Sequence, residues 1–134
     1  MGYRSEVIFG VKKEHREAVD KVLKEHDLTD SFKWYERTYD WYEFDKDSNV
    51  KVTHTEYWIV WVGDYLKWYD GYPDVDAVNR LISDYCELDK FMVCMGEDGA
   101  IHSEQGDWYN YVEHISKLEI SMTNPYLSVA NEKR

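Results

Sequence analysis

The stretch of sequence that decides the fold, residues 32–62, reads FKWYERTYDWYEFDKDSNVKVTHTEYWIVWV. Two runs rich in aromatic and β-branched residues flank a polar segment at residues 45–49, a pattern typical of long antiparallel strands joined by a turn. The apolar register of the first run changes at Trp34 and Tyr35, which predicts a bulge or bend there. The second run is expected to end at Gly63 and Asp64, with a short extended piece over residues 65–69. The sequence therefore predicts a long aromatic hairpin in the middle of the chain.

Strand and helix patterns lie on both sides of this hairpin. Residues 3–11 alternate with the period of a strand that buries one face, and residues 12–26 carry apolar side chains at helical spacing. After the hairpin, Pro73 suits the first turn of a second helix. The apolar stripe of that helix is Val75, Val78, Leu81, Ile82 and Tyr85. Residues 91–95 predict a buried strand, residues 97–99 a turn, residues 100–104 a partner strand, and residues 115–122 a last strand.

The order of these elements is strand, helix, strand, strand, helix, strand, followed by extra C-terminal strands. It predicts an α+β domain of the split βαβ (ferredoxin-like) type, with two helices on one face of an antiparallel sheet. A chain of 134 residues is long enough for one such core. We expect a single domain over residues 1–123 and a loosely ordered tail over residues 124–134.

Two further features bear on the cell compartment. The longest nearly uninterrupted apolar stretch, residues 57–62, is far too short to span a bilayer, and the N-terminus lacks the layout of a secretion signal. We therefore expect a cytoplasmic protein without membrane contact. Cys86 and Cys94 are then expected to be reduced thiols in the core, with a disulfide or a redox role as the alternative.

The charge of the chain is negative and unevenly distributed. The formal net charge is -11, and residues 64–107 hold eleven acids against Lys67, Arg80 and Lys90. Such a sector repels phosphate backbones and attracts basic protein surfaces, which argues against direct nucleic-acid binding. The alternative is that the acids keep a tyrosine-rich protein soluble.

Three short segments carry a resemblance to a group of proteins. They are MGYRS at residues 1–5, KWYDGYPDV at residues 67–75 and GED at residues 96–98. These segments resemble features of small, uncharacterised proteins encoded by tailed bacteriophages and prophages. The resemblance implies no activity, but small acidic phage proteins often bind and disable a host protein, so it implies a host macromolecule as the partner.

The sequence contains one partial metal-binding pattern. Asp45, Asp47, Asn49 and Glu56 occupy positions one, three, five and twelve of a calcium loop. Val50 stands where that loop needs glycine, and the flanking segments have strand patterns, so an exposed hairpin turn is favoured over a calcium site.

The histidines carry no clear catalytic or metal-binding pattern. His114, Ile115 and Ser116 resemble half of the two-histidine phosphoesterase signature, but the segment at His54 lacks the matching hydroxyl. None of the five histidines has metal-ligand spacing, although His54 and His102 fall on predicted strands and could pair in space. We predict no catalytic residue, no metal and no cofactor.

The remaining candidate site is a surface of aromatic and acidic side chains, because exposed Trp and Tyr make strong interface anchors. The predicted partner-binding residues are Trp34, Tyr35, Tyr39, Trp41, Trp68, Tyr69, Asp70, Asp74 and Asp76. One alternative is that the rings only pack on the helices and tolerate solvent. RNA stacking is another, and the missing basic frame argues against it.

The functional interpretation is a binding protein, encoded by a phage, that inhibits or sequesters a host protein with a basic surface. Its oligomeric state is left open. The alternative is a small enzyme or nucleotide-binding protein with a site between the sheet and the loop over residues 68–74. A deep pocket lined by His54, Trp58 and Trp68 would favour that alternative.

Overall fold

The structure is a computed structural model that describes residues 4–114 and 117–122. Its helices and strands, in chain order, are β1 (Ser5–Lys12), α1 (Arg16–Glu25), β2 (Lys33–Asp45), β3 (Val50–Leu66), α2 (Pro73–Asp84), β4 (Lys90–Gly96), β5 (Ile101–Gly106), β6 (Val112–His114) and β7 (Leu118–Ile120). The predicted tail over residues 124–134 lies outside the described residues, as does part of the predicted last strand.

The strands form two antiparallel sheets. The larger sheet has the order β2-β3-β1-β4-β5, and β6 pairs with β7 in a separate two-stranded sheet. The prediction of a mixed α+β domain with an antiparallel sheet and two helices is confirmed.

Both faces of the central strands are buried, and each has its own core. On one face, α1 and α2 contribute Val19, Leu23, Val75, Val78 and Ile82, which pack against alternate residues of β1 such as Phe9. On the other face, Tyr111, Val112 and Leu118 cover Ile8, Trp58, Val60, Phe91 and Val93. The expectation that β1 buries only one face is wrong, because Ile8 on its second face is 1% exposed under this C-terminal layer.

The second helix begins at the predicted residue. Pro73 occupies its first turn, and Val75, Val78 and Ile82 are buried. The helix ends at Asp84, so Cys86 lies beyond its last turn and is exposed. The expectation of two core thiols therefore holds only for Cys94, where burial raises the pKa of the thiol.

The central hairpin forms as predicted, but its irregularity lies elsewhere. The pairing of β2 with β3 runs without a shift from Lys33 opposite Val62 to Asp45 opposite Val50, so the bulge predicted at Trp34 and Tyr35 is absent.

The strand β3 also does not end at Gly63 and Asp64. It continues to Leu66, and the register shift falls between β1 and β3, where Tyr65 adopts a φ of 57°. A Cβ atom at Gly63 would lie 2.7 Å from Cε1 of Phe32, so this glycine allows the Phe32 ring to pack over the strand.

Candidate functional site

The hairpin extends beyond the rest of the sheet. β1 pairs with β3 only from Leu66 to Trp58, whereas β3 continues for eight residues from Tyr57 back to Val50, where β2 is its only neighbouring strand among the described residues. We call residues 39–57 the arm. At about 3.3 Å per residue, eight residues make the arm roughly 25 Å long. The arm arises because β1 has eight residues and β3 has seventeen.

The arm exposes large apolar side chains on both of its faces. Because side chains alternate along a strand, Tyr42, Phe44 and Tyr57 lie on the helix side of the sheet, and Val50 and Val52 lie on the opposite side. Their exposed fractions are 60% for Tyr42, 56% for Phe44 and Tyr57, 50% for Val50 and 44% for Val52. A cluster of this kind on a protein surface is typical of a protein-binding site.

The root of the arm is held by one carboxylate. Glu56 accepts hydrogen bonds from Trp41 Nε1 at 2.9 Å, from Trp58 Nε1 at 3.0 Å and from the Tyr111 hydroxyl at 3.4 Å. Burial and then the Glu56 charge raise the pKa of Tyr111 far above its ordinary value, because ionisation would place a second negative charge there. These contacts join both strands of the arm to the C-terminal layer at its root.

One aromatic stack on the arm belongs to the predicted surface. The rings of Trp41 and His54 lie parallel with centroids 4.2 Å apart. His54 Nε2 is 3.7 Å from a Glu43 carboxylate oxygen and has no hydrogen-bond partner within residues 4–114 and 117–122. Trp41 is therefore half-buried against its own hairpin.

The other predicted aromatic residues of β2 are also engaged within the domain. The Arg16 guanidinium lies 3.9 Å from the centre of the Trp34 ring, and the Arg37 guanidinium lies 4.9 Å from that of Tyr35. Tyr39 meets Tyr111 edge-on at 4.9 Å. These three rings are half-buried. The exposed rings of the arm, Tyr42, Phe44 and Tyr57, were not among the predicted binding residues.

Trp68 was expected to be an exposed anchor, and this expectation is wrong. The side chain is 8% exposed and lies edge-on to Phe32 in the helix-side core, with ring centroids 5.7 Å apart. Its Nε1 is buried without a hydrogen-bond partner among the described residues. The nearby Tyr69 is half-buried and meets Tyr72 edge-on at 5.3 Å.

The three predicted acids near Trp68 have different environments. Asp70 is exposed. The carboxylate of Asp74 accepts a hydrogen bond from the Val75 amide at 2.8 Å, and that of Asp76 accepts one from the Gly71 amide at 3.0 Å. Asp74 and Asp76 therefore stabilise the start of α2, where negative charge is favoured.

The acidic sector of the sequence contributes side chains at both ends of β1. Asp64 and Glu97 lie near its Ser5 end, whereas Glu87 and Asp89 lie near its Lys12 end. These two pairs of acids are therefore separated by roughly the 25 Å length of β1.

The candidate metal and catalytic residues also do not converge. Glu56 is six residues along β3 from the Asp45–Val50 pair, which is about 20 Å. The Ser48 hydroxyl, followed by hydrogen bonds from the Asp47 and Ser48 amides, instead lowers the pKa of Asp45. Within residues 4–114 and 117–122, no cluster of three or more His, Cys, Asp or Glu side chains could hold a metal ion.

The histidines lie at opposite ends of the sheet. His54 is on the arm, beyond the Lys12 end of β1. His102 lies 3.2 Å from Asp98, and His114 lies 3.1 Å from the Gly99 carbonyl oxygen, both near the Ser5 end. The suggested pairing of His54 with His102 is therefore wrong, and His54 and His114 do not form one phosphoesterase site. Ile115 and Ser116 lie outside the described residues.

The pocket that would favour the enzyme alternative is not formed by its predicted residues. Trp58 belongs to the core under the C-terminal layer, and Trp68 belongs to the core under the helices. The sheet separates the two indole rings, so they do not line one pocket with His54.

No helix in the described part of the chain is long and apolar enough to cross a membrane. Comparison with protein-family models, curated proteins and solved structures finds no significant match.

Proposed function

We propose that this chain is a small acidic binding protein, encoded by a phage and acting in the host cytoplasm, that inhibits or sequesters a host protein. The docking element is the arm, and the partner presents a basic surface with an apolar centre. The observation that carries this proposal is the exposure of Tyr42, Phe44 and Tyr57 on one face of the arm.

The charge of the arm as a whole favours a basic partner, although the Lys51 ammonium lies 4.3 Å from the centre of the Tyr42 ring. The arm from residue 40 to residue 56 contains Asp40, Glu43, Asp45, Asp47 and Glu56 as acids, against Lys46 and Lys51. The Asp40 carboxylate accepts a hydrogen bond from the Thr55 hydroxyl at 2.8 Å, which holds one negative charge on the same face as the exposed rings. Aromatic anchors bind through desolvated contact, and surrounding charges steer the encounter.

We also propose that the fold is the split βαβ (ferredoxin-like) arrangement. Four neighbouring strands have the order β2-β3-β1-β4, and both helices pack on the same face, which supports this assignment. β5 and the β6–β7 pair are additions to it. The fold carries many unrelated functions, so it supplies a scaffold for the arm and no activity.

The test is affinity capture from a bacterial lysate with three forms of the protein. These are the wild type, the variant Tyr42→Ser/Phe44→Ser, and Tyr65→Ser as a matched control. Tyr65 is 71% exposed and lies at the end of β3 opposite the arm. We expect a captured protein that the wild type and the control retain and that the double variant loses.

The captured protein then allows a kinetic test of charge. With the purified partner, Asp40→Asn/Glu43→Gln should slow association at low salt, and the difference should vanish at high salt because of screening. The proposal fails if the double aromatic variant captures the same proteins as the wild type, or if association is indifferent to salt.

A further inference from the structure

Along the arm, the backbone edge of β3 that faces the end of β1 has no neighbouring strand among the described residues. We call this unpaired edge the open row. β1 ends where Lys12 lies opposite Trp58, and within the described residues no strand pairs with that edge of β3 from Tyr57 back to Val50. At the end of β1, Lys12, Lys13 and Glu14 form a notch of about 550 Å³ together with residues 55–57 of β3. An open strand edge is a template for adding another strand.

The row fits a second copy of the arm in direction and length. A strand antiparallel to β3 would run in the same direction as β1. If the β3 strand of a second copy pairs in this direction, Val50 of the second copy lies nearest to Lys12 of the first. The turn over residues 46–49 of the second copy then lies in the notch of the first. The row and the incoming strand each have about eight residues, so each arm fills the row of the other.

Opposite charges of the notch and of the turn can pair, although each also carries a charge of the other sign: Glu14 in the notch and Lys46 in the turn. The turn is flanked by Asp45 and contains Asp47, whose side chain is exposed. The notch presents Lys12 and Lys13, and the Lys13 side chain is 56% exposed. Each lysine lies 3.7 Å from its partner within the domain, Asp89 and Glu36 respectively. Since this exceeds hydrogen-bond distance, each ammonium group can still donate to a further carboxylate.

Symmetry selects the register. Residues opposite one another in a sheet point to the same face, so a two-fold axis perpendicular to the sheet places one residue opposite its own copy. If the axis passed between the two copies of His54, Val50 of one copy would lie opposite Trp58 of the other, where Lys12 already pairs. If the axis passes between the two copies of Thr53, the paired strands fill the open row without this clash.

The pairs in this register contain no like charges. Val50 lies opposite Glu56, Lys51 opposite Thr55, Val52 opposite His54, and Thr53 opposite Thr53 of the second copy. Like charges directly opposite would oppose pairing, whereas Thr–Thr pairs favour it.

We propose that two copies of this chain form a symmetric dimer by antiparallel pairing of the arm segments of β3, centred on Thr53. The product is a four-stranded ribbon between two domains. It leaves the outer edge of β2 and the faces with Tyr42 and Phe44 accessible, and it doubles the surface used in the proposed function. The dimer does not depend on that function.

The first experiment measures mass in solution. Sedimentation or light scattering over micromolar to submillimolar concentrations should show a species of twice the 16.1 kDa of one chain. Thr53→Asp should abolish this species, because it places two carboxylates directly opposite each other. Thr29→Asp, an exposed site far from the arm, should not. Circular dichroism melts of both variants establish that they are folded.

The second experiment tests the register by disulfide cross-linking in a Cys86→Ser background. Thr53→Cys should give a covalent dimer on mild oxidation, because opposite residues lie about 5 Å apart, within the range of a disulfide. Thr55→Cys is the matched control, since its two copies would be four residues apart along the strands, or about 13 Å. It should not cross-link.

Three results would overturn the dimer. They are a single-chain mass at every concentration, a dimer that Thr53→Asp leaves intact, and equal cross-linking of Thr53→Cys and Thr55→Cys. None of these results refutes the proposed function if the variant Tyr42→Ser/Phe44→Ser still loses the protein that the wild type captures. Conversely, a dimer that captures nothing would refute the proposed function alone.

Discussion

Replacing Glu56 by alanine tests whether this carboxylate fixes the root of the arm. The change removes the acceptor of Trp58 Nε1, whose side chain is 1% exposed, and of the Tyr111 hydroxyl, whose residue is 7% exposed. A buried donor that loses its partner costs about 1–3 kcal/mol, and the longer Tyr111 bond adds about 1 kcal/mol. Trp41 Nε1 is half-exposed and can turn to water. The expected loss in the free energy of unfolding is therefore about 2–4 kcal/mol.

The assay is urea unfolding followed by tryptophan fluorescence, with a thermal melt as a second measurement. At about 4 °C per kcal/mol for a chain of this size, the melting temperature should fall by roughly 8–16 °C. Glu43→Ala is the matched control, because its carboxylate lies on the same face of the arm but is exposed, and it should cost less than about 0.5 kcal/mol. A loss for Glu56→Ala no larger than that of the control would refute this reasoning.

Three further predictions concern the core, a turn and the alkaline limit of stability. Ile82→Ala, at a 0% exposed position in the helix-side core, should cost about 2–5 kcal/mol in urea unfolding. Gly106→Ala should cost at least about 2 kcal/mol, because φ is +66° and the new Cβ would lie 2.4 Å from the Lys90 carbonyl oxygen. Gly99→Ala, with φ of +80° and open space, should cost only about 1 kcal/mol in the same assay. Because the folded-state pKa of Tyr111 is raised, its contribution to the free energy of unfolding is complete below the ordinary pKa of about 10 and is lost as pH rises above it. The melting temperature of the wild type should therefore fall more steeply above that pH than that of Tyr111→Phe. Parallel curves of melting temperature against pH would contradict this assignment.

The sequence predicts much of the fold because its strongest signals are local. The polar segment at residues 45–49 marks the hairpin turn, and Pro73 with the spacing of Val75, Val78 and Ile82 marks α2. These features depend on neighbours along the chain. The bulge predicted at Trp34 was wrong because both faces of β2 are partly covered there, so the change of apolar register does not mark a break in pairing.

The exposure of each aromatic ring could not be predicted in this way. Tyr57 and Trp58 are adjacent, yet the first is 56% exposed and the second 1%, because β1 ends opposite Trp58. Trp68 is buried because Gly63 leaves room for Phe32 beside it. Both outcomes depend on strand length and on distant contacts, so residue type alone could not separate the arm from the core.

The two-sided burial of the central sheet has a consequence for synthesis on the ribosome. Ile8, Trp58 and Phe91 are almost completely buried under Tyr111, Val112, Leu118 and Met122, which emerge from the ribosome after every strand of the larger sheet. Until then, the nascent domain can assemble its helix-covered face while the opposite face remains in contact with water. An exposed apolar sheet face is a substrate for chaperones and a nucleus for aggregation. Translation that stops after β5 would therefore release a product prone to aggregation, because residues 111–122 are needed to cover this face.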